Sequence, residues 1–144
     1  MTQEEIKVWV AYVKSKTDNW PAMLDNEEHM LHWMGRLYLG RALFRDYGEY
    51  HGAYDILKEI YLGNEIRHNR DWFGSYEDYI EEKVHFFKDM AELTYIVTDD
   101  AARSIPFIDE ALIMLDSSES VGPYVDVKEF KQLKKDYTEK AKQE

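Results

Sequence analysis

The sequence predicts an all-α fold of about six helices, packed as antiparallel helical hairpins in one domain. Apolar residues recur every three or four positions along most of the chain, a spacing that places them on one face of a helix. Only 7 glycines and 3 prolines interrupt a chain of 144 residues that is 44% hydrophobic. This composition disfavours both a disordered chain and a turn-rich β-sandwich.

Residues 1–24 are predicted to form an N-terminal helix and a linker. Thr2 and Glu5 have the spacing of a capping box, in which each side chain satisfies a backbone N–H at the start of a helix. The apolar face that follows consists of Ile6, Trp9, Val10 and Val13. A strand remains an alternative for this segment because β-branched residues are frequent in it.

Residues 26–62 are predicted to form the first helical hairpin. Asp25 and Glu28 repeat the spacing of a helix start, and a broad apolar seam then continues to Tyr47. A seam of this width indicates a helix that is covered on several sides. Gly48 interrupts the pattern, and the second helix ends at Gly63. Because the connection is short, the two helices must lie antiparallel.

Residues 63–75 lack helical periodicity and are interpreted as a loop or a frayed helix end. Residues 75–116 are predicted to form the second helical hairpin, and its first helix should begin at Ser75 and end near Val97. Pro106 suits the first turn of the next helix, capped near Ser104, because its missing N–H costs nothing there. Asp126 then begins a C-terminal capping helix over residues 126–144.

Two segments resemble the helical hairpins of tetratricopeptide repeats. In "LYLGRALFRDYGEYHGAYDIL" the matching positions are Leu37, Phe44, Gly48, Tyr50, Ala53 and Leu57. In the second segment they are Tyr95, Ser104, Ile108 and Ala111. The resemblance covers about half of the chain and implies a short superhelix with a concave groove for a peptide.

The chain departs from the repeat pattern at several positions. Gly40-Arg41 stands where that family has a Leu-Gly pair, and Glu65 and Asp116 replace its closing proline. Ala53 and Ser104 are 51 residues apart, whereas the repeat period is about 34 residues. A divergent repeat pair and an unrelated helical bundle therefore both remain open.

Charge and composition restrict the classes of partner. The net charge of −11 would repel a phosphate backbone and attract a basic protein, so nucleic acid is disfavoured as a ligand. No apolar run reaches the roughly 18 residues of a membrane span, the chain holds no cysteine, and its first residues do not look like a signal peptide. We expect a cytoplasmic protein with no membrane association. The chain also lacks phosphate-binding and nucleophile motifs, so we expect no cofactor and no enzymatic activity.

Two groups of residues are candidates for binding. The first is a strip of Tyr38, Arg41 and Arg45, which by the repeat resemblance would face the groove and suit an acidic peptide. The second lies in the predicted loop and consists of Arg67, Arg70, Trp72 and Phe73, where the two aromatic residues have the chemistry of an interface anchor. The alternative is structural, with the arginines neutralising nearby acids and the aromatic rings packed as core.

A metal site is the alternative that would make the chain an enzyme. Glu-x-x-His spacings, which aim two ligands in the same direction on a helix, occur at Glu65–His68 and Glu82–His85. The further candidate ligands are Glu28, His29 and His32. Ordinary surface histidines explain the same pattern, and only 17 residues separate the two Glu-x-x-His pairs.

The sequence thus favours a protein- or peptide-binding module that acts as an adaptor or regulator. One alternative is an acidic inhibitor or immunity-type protein that blocks a basic protein surface. The other is a metal-dependent helical-bundle enzyme that uses the histidine and glutamate ligands. Self-association as a homodimer also stays open, because a short solenoid rich in aromatic residues has exposed ends to bury.

Overall fold

The computed structural model describes residues 1–18, 20, 28, 31–117 and 125–144. Within these residues the fold is all-α, with seven α-helices and no strand. The helices are α1 (Gln3–Lys16), α2 (Trp33–Arg45), α3 (Tyr50–Leu62), α4 (Glu65–His68), α5 (Tyr76–Thr98), α6 (Ala101–Ser117) and α7 (Val127–Gln143). Helix α4 is a single turn, so the other six correspond to the six helices that the sequence predicts. No helix in this part of the chain is both long and apolar enough to cross a membrane.

Helix starts that depend on a local capping residue form as predicted. Thr2 and Glu5 make a complete capping box at the start of α1. The Ser75 hydroxyl accepts a hydrogen bond from the Asp78 N–H at 3.1 Å, and Asp126 accepts one from the Lys128 N–H at 3.0 Å. These side chains satisfy backbone donors that would otherwise have no partner in the first helical turn.

Helix α2 begins at Trp33, inside a segment that the sequence predicts to be one continuous helix. Its N-cap is His32, whose Nδ1 accepts a hydrogen bond from the Met34 N–H at 3.3 Å. The predicted start at residue 26, with Asp25, lies outside the described residues. The backbone of His32 is extended, with φ −68° and ψ 151°, and this interrupts a helix that the apolar seam alone predicted to be continuous.

Helices α2 and α3 pack on each other as the predicted antiparallel hairpin. Gly48 takes a positive φ of 65° in the turn, a conformation that glycine adopts without steric cost. A Cβ at Gly40 would lie 2.6 Å from the Leu57 Cδ2 atom, so the missing side chain permits the close approach of the two helices. Ala53 and Leu57 are fully buried in this hairpin.

Helix α1 packs against the hairpin through its aromatic residues. A Cβ at Gly52 would lie 2.5 Å from the Trp9 indole, which shows how closely that ring lies over α3. The Tyr12 hydroxyl donates a hydrogen bond to the Glu49 carboxylate at 3.1 Å, beside the N-terminus of α3. Ile6, Val10 and Val13 are buried, which confirms the predicted apolar face and a helical rather than an extended segment.

Helices α5, α6 and α7 form a second packed group. Only Asp99 and Asp100 connect α5 to α6, and Asp99 ends α5 in the left-handed conformation with φ 54°. The buried Ser104 hydroxyl donates a hydrogen bond to the Ala91 carbonyl at 2.6 Å and links the two helices. Helix α7 runs antiparallel to α6, since Lys134 pairs with Asp109 at 2.8 Å and the Ala101 N–H donates to Glu144 at 2.8 Å.

The predicted start of α6 near Ser104 is wrong. The helix begins at Ala101, so Pro106 is its sixth residue rather than part of its first turn. The Ala102 N–H donates to the Asp100 carboxylate at 3.1 Å, so Asp100 provides the cap that was predicted near Ser104. Ala101 and Ser104 are fully buried, so packing against neighbouring helices favours the additional turn.

The chain divides into two compact units, residues 1–68 and residues 69–144. The first contains α1 to α4 and therefore the predicted hairpin over residues 26–62. The second contains α5 to α7 and therefore the predicted segments 75–116 and 126–144. That these units make one domain stays a prediction.

Candidate functional site

Residues 63–75, predicted as a loop or a frayed helix end, contain regular structure. Glu65–His68 forms the helical turn α4, and Arg70–Trp72 forms a 3₁₀ turn. Ile66 is buried and holds α4 in place, and Arg36 pairs with Glu65 at 2.5 Å. A single helical turn is too short to show an apolar period, so the sequence pattern could not reveal it.

A cleft of about 370 Å³ lies between the 3₁₀ turn and the first turn of α5. Its lining consists of Arg70, Asp71, Phe73, Ser75, Tyr76 and Tyr79. All six belong to the unit of residues 69–144. The 3₁₀ turn supplies the two charged side chains, and the helix supplies the two tyrosines. We refer to this feature as the aromatic cleft.

Three aromatic rings belong to the lining of the aromatic cleft. The buried Tyr79 ring lies at the centre, 5.7 Å from the Phe73 ring in a T-shaped contact and 6.1 Å from the Tyr76 ring. The Lys83 Nζ donates a hydrogen bond to the Tyr79 hydroxyl at 3.1 Å and so fixes the orientation of that ring. Tyr76 is 59% exposed, which leaves much of this ring available to a ligand.

Four charged side chains lie in or next to the segments that form the aromatic cleft. Arg70 and Asp71 are exposed, and neither forms an ion pair with any described residue. Glu77 and Asp78 occupy the first turn of α5, where the helix dipole favours a negative charge. Residues 70–79 therefore carry three acidic side chains and one basic side chain.

Trp72 extends into solvent next to the aromatic cleft. Its side chain is 62% exposed, whereas the structural alternative requires the indole to be packed as core. An exposed tryptophan beside exposed tyrosine and arginine is the combination that dominates the energetics of protein interfaces. Of the predicted loop residues, Arg70 and Phe73 line the cleft and Trp72 adjoins them in sequence. Arg67 lies on α4 in the other unit and is exposed.

The predicted strip on α2 has partners within its own unit. The Tyr38 ring is 39% exposed and makes a T-shaped contact with the Trp20 ring at 5.7 Å. The Arg45 guanidinium lies 5.1 Å from the centre of the Phe44 ring. Arg41 is half-buried. Tyr38 thus contacts Trp20, and Arg45 contacts a residue of its own helix. The role of this strip in peptide binding stays a prediction.

The candidate metal ligands do not form a cluster among the residues that the structure describes. No group of three or more histidine, aspartate or glutamate side chains in this part of the chain is placed to hold a metal ion. His32 caps α2, and His29 lies outside the described residues. Glu82 and His85 are half-buried on α5, where the His85 ring lies 6.3 Å from the Phe130 ring, while Glu28 and His68 are exposed.

Sequence reasoning missed three of the residues that line the aromatic cleft. Asp71, Tyr76 and Tyr79 are not among the residues that the sequence indicates as candidates for binding. The available signal was the spacing of Tyr76 and Tyr79, because residues at i and i+3 lie on the same face of a helix. This pair directly follows the candidate residues Trp72 and Phe73.

Comparison with known proteins does not assign the chain to a family or the aromatic cleft to a function. No protein-family model, no curated protein and no solved structure matches the chain.

Proposed function

We propose that the chain is a protein- or peptide-binding module that acts as an adaptor or regulator, and that the aromatic cleft is its binding site. One observation carries this proposal. A cleft of about 370 Å³ is lined by aromatic rings and by two exposed charged side chains without an ion-pair partner in the described chain, and it lies beside a tryptophan that is 62% exposed.

The surface chemistry of the aromatic cleft favours binding a macromolecule. Trp72 and Tyr76 expose large apolar areas to water, which is unfavourable unless a partner covers them. Tryptophan, tyrosine and arginine are the residues most enriched among those that contribute most to protein–protein affinity. The site is built on a helix of 23 residues, which provides a rigid support for the rings.

The resemblance to tetratricopeptide repeats is part of this proposal. It is supported by the antiparallel hairpin of α2 and α3, the glycine with positive φ at its turn, and the buried Ala53 at the small position of the second helix. Proteins built from such hairpins commonly present surfaces for peptides. The aromatic cleft lies outside this hairpin, so its role in binding does not depend on the resemblance.

Site-specific photo-cross-linking in the native host tests the proposal. A photoreactive phenylalanine analogue is placed at Trp72, at Tyr38 in the α2 strip, and at Val8, which is 68% exposed on α1 and serves as the matched surface control. We expect a discrete cross-linked protein from position 72 and none from position 8. Cross-linking from position 38 without position 72 would move the site to the α2 strip. No product from either position would contradict the binding-module proposal.

A further inference from the structure

We propose that the aromatic cleft holds a basic segment of a partner protein, in which an arginine or lysine side chain lies against the Tyr76 ring and pairs with Asp71. This inference rests on the proposed binding function and names the chemistry of the ligand. An apolar side chain next to that cation would fill the space beside Phe73. Three features of residues 70–79 support a cationic ligand. They are the exposed face of an aromatic ring, a carboxylate without an ion-pair partner among the described residues, and an excess of acidic side chains.

The rings suit a cationic side chain. The face of a tyrosine or tryptophan ring attracts an ammonium or guanidinium group placed within about 6 Å of its centre. The same unit already uses this contact internally, since Lys83 lies 5.5 Å from the Tyr79 ring centre and Lys140 lies 4.5 Å from the Tyr95 ring centre. Tyr76 is 59% exposed and has no such lysine or arginine of its own among the described residues.

Asp71 supplies the charge that an incoming cation needs. It lines the aromatic cleft, it is exposed, and it forms no ion pair in the described chain. A carboxylate next to aromatic rings allows a guanidinium to stack on a ring and to donate hydrogen bonds at the same time. Asp71 on the 3₁₀ turn and Tyr76 on α5 both line this cleft of about 370 Å³, so a cationic side chain inside it has both groups within the same lining.

The surrounding charge favours a basic segment over an acidic one. Glu77 and Asp78 occupy the first turn of α5 and would repel a carboxylate that approached the helix N-terminus. Residues 69–144 carry 18 acidic and 10 basic side chains, a net charge of −8 within the chain total of −11. This field raises the rate at which a basic partner meets the cleft. Arg70 is the one basic residue in the lining and would oppose it.

Three labelled peptides serve as probes for the sign of the ligand charge. The first alternates arginine and leucine, the second replaces every arginine with glutamate, and the third replaces every arginine with glutamine. Binding of each peptide to the full chain is measured by fluorescence anisotropy at low and at high salt. We expect the arginine peptide to bind most tightly, and its affinity to fall as salt screens the charges.

Two adjacent residues of opposite charge provide the decisive variants. We expect Asp71→Asn to weaken the arginine peptide about two- to tenfold, and Arg70→Gln to leave its affinity unchanged or to increase it about two- to fivefold. Asp116→Asn is the matched control, because it removes the same charge from an exposed position that does not line the cleft. We expect Trp72→Ala in the same assay to weaken the arginine peptide as well, because the peptide should also contact the ring beside the cleft.

Each other outcome overturns the inference. Tighter binding of the glutamate peptide, lost in Arg70→Gln, would assign an acidic ligand to the same cleft and would leave the binding function intact. Equal affinity for all three peptides would show that apolar contact alone drives binding. Equal effects of Asp71→Asn and Asp116→Asn would show that only overall charge matters. Failure of every peptide would remove the basic ligand, while cross-linking from position 72 would still decide the binding function separately.

Discussion

Trp72 is the residue whose surroundings distinguish an interface anchor from a piece of core. Its side chain is 62% exposed, whereas Trp33 on α2 is 3% exposed. The sequence places Trp33 within the apolar seam of the first hairpin and Trp72 in the predicted loop, where its ring could serve either as an interface anchor or as core. The difference arises because Trp33 begins a helix that packs on α3, while Trp72 ends a 3₁₀ turn.

Quenching of tryptophan fluorescence tests the exposure of Trp72. Acrylamide reaches exposed indoles and is excluded from buried ones, so Trp72→Phe should remove a large share of the quenchable emission and leave unfolding unchanged. Trp33→Phe is the matched control and should leave the quenchable share in place while lowering the free energy of unfolding by about 1–3 kcal/mol. Equal quenching of the two variants would contradict the exposure on which the proposed site depends.

We expect the fold to lose stability in alkaline solution because of Tyr137 on α7. Burial, with the nearby carboxylates of Glu92 and Asp136, raises the pKa of Tyr137 from 10.0 to about 12. The neutral phenol therefore stabilises the fold fully below about pH 10, and this contribution is lost as the pH rises through 12. Denaturant unfolding at several pH values should show a smaller alkaline loss for Tyr137→Phe than for the wild type.

The pKa of a second tyrosine, Tyr12, is also raised, so some alkaline loss of stability should persist when Tyr137 is replaced. Burial and a hydrogen bond to Glu49 raise the pKa of Tyr12, so Tyr137→Phe should retain an alkaline loss of the same sign from Tyr12. Identical curves for the wild type and Tyr137→Phe would show that the Tyr137 phenol does not couple to folding.

At the scale of elements, local capping signals were the reliable part of the sequence analysis. Thr2, Ser75 and Asp126 all cap the starts of helices as predicted, because each accepts its hydrogen bond from a backbone N–H only two or three residues further along the chain. The start of α6 was predicted wrongly, and no sequence pattern indicated the interruption at His32 that begins α2. In α6 the buried Ser104 hydroxyl and the buried Ala101 extend the helix toward its neighbours, and tertiary packing of this kind has no local signature.

Pro106 gives a test of the observed start of α6. In the sixth position of the helix, a non-proline residue would donate its N–H to the Ala102 carbonyl, and proline removes that bond. Pro106→Ala at this exposed position should raise the free energy of unfolding by about 1–3 kcal/mol, measured by chemical denaturation. Pro106→Gly restores the same N–H and should give a smaller gain. A loss of stability in Pro106→Ala would favour the start near Ser104 that the sequence predicts.

Gly52 tests the packing of α1 on the first hairpin. An added methyl group would lie 2.5 Å from the Trp9 ring, so Gly52→Ala should push the indole away and lower the free energy of unfolding by about 1–3 kcal/mol. Gly74→Ala is the matched control, because its nearest neighbour would be an Asp78 oxygen at 3.5 Å. We expect the control to stay within about 0.5 kcal/mol of the wild type. Equal stability of the two variants would contradict the close contact.

At the scale of the whole molecule, the all-α class was predictable and the site was only partly so. Helical periodicity and the scarcity of glycine and proline depend on composition and spacing alone, so the fold class follows from the sequence. The aromatic cleft depends on a 3₁₀ turn that brings Arg70 and Asp71 into the same lining as Tyr76. Sequence reasoning therefore identified Arg70 and Phe73 as candidates but could not place Asp71 with them.

The division of charge between the two units agrees with the proposed ligand. Residues 1–68 carry 11 acidic and 8 basic side chains, a net charge of −3, whereas residues 69–144 have a net charge of −8. The unit that contains the aromatic cleft is thus the more acidic one. A basic partner would be attracted to that unit at low ionic strength, and salt would weaken the attraction.

The most direct test of the proposed binding site measures how variants of the aromatic cleft and of the α2 strip change the affinity for one and the same partner. The partner captured by cross-linking is titrated against the wild type, a Trp72→Ala/Tyr76→Ala variant and a Tyr38→Ala/Arg45→Glu variant, after circular dichroism has shown that each is folded. We predict that the cleft variant loses at least about tenfold in affinity and that the strip variant stays within about threefold of the wild type. The reverse order of losses would contradict the aromatic cleft as the binding site.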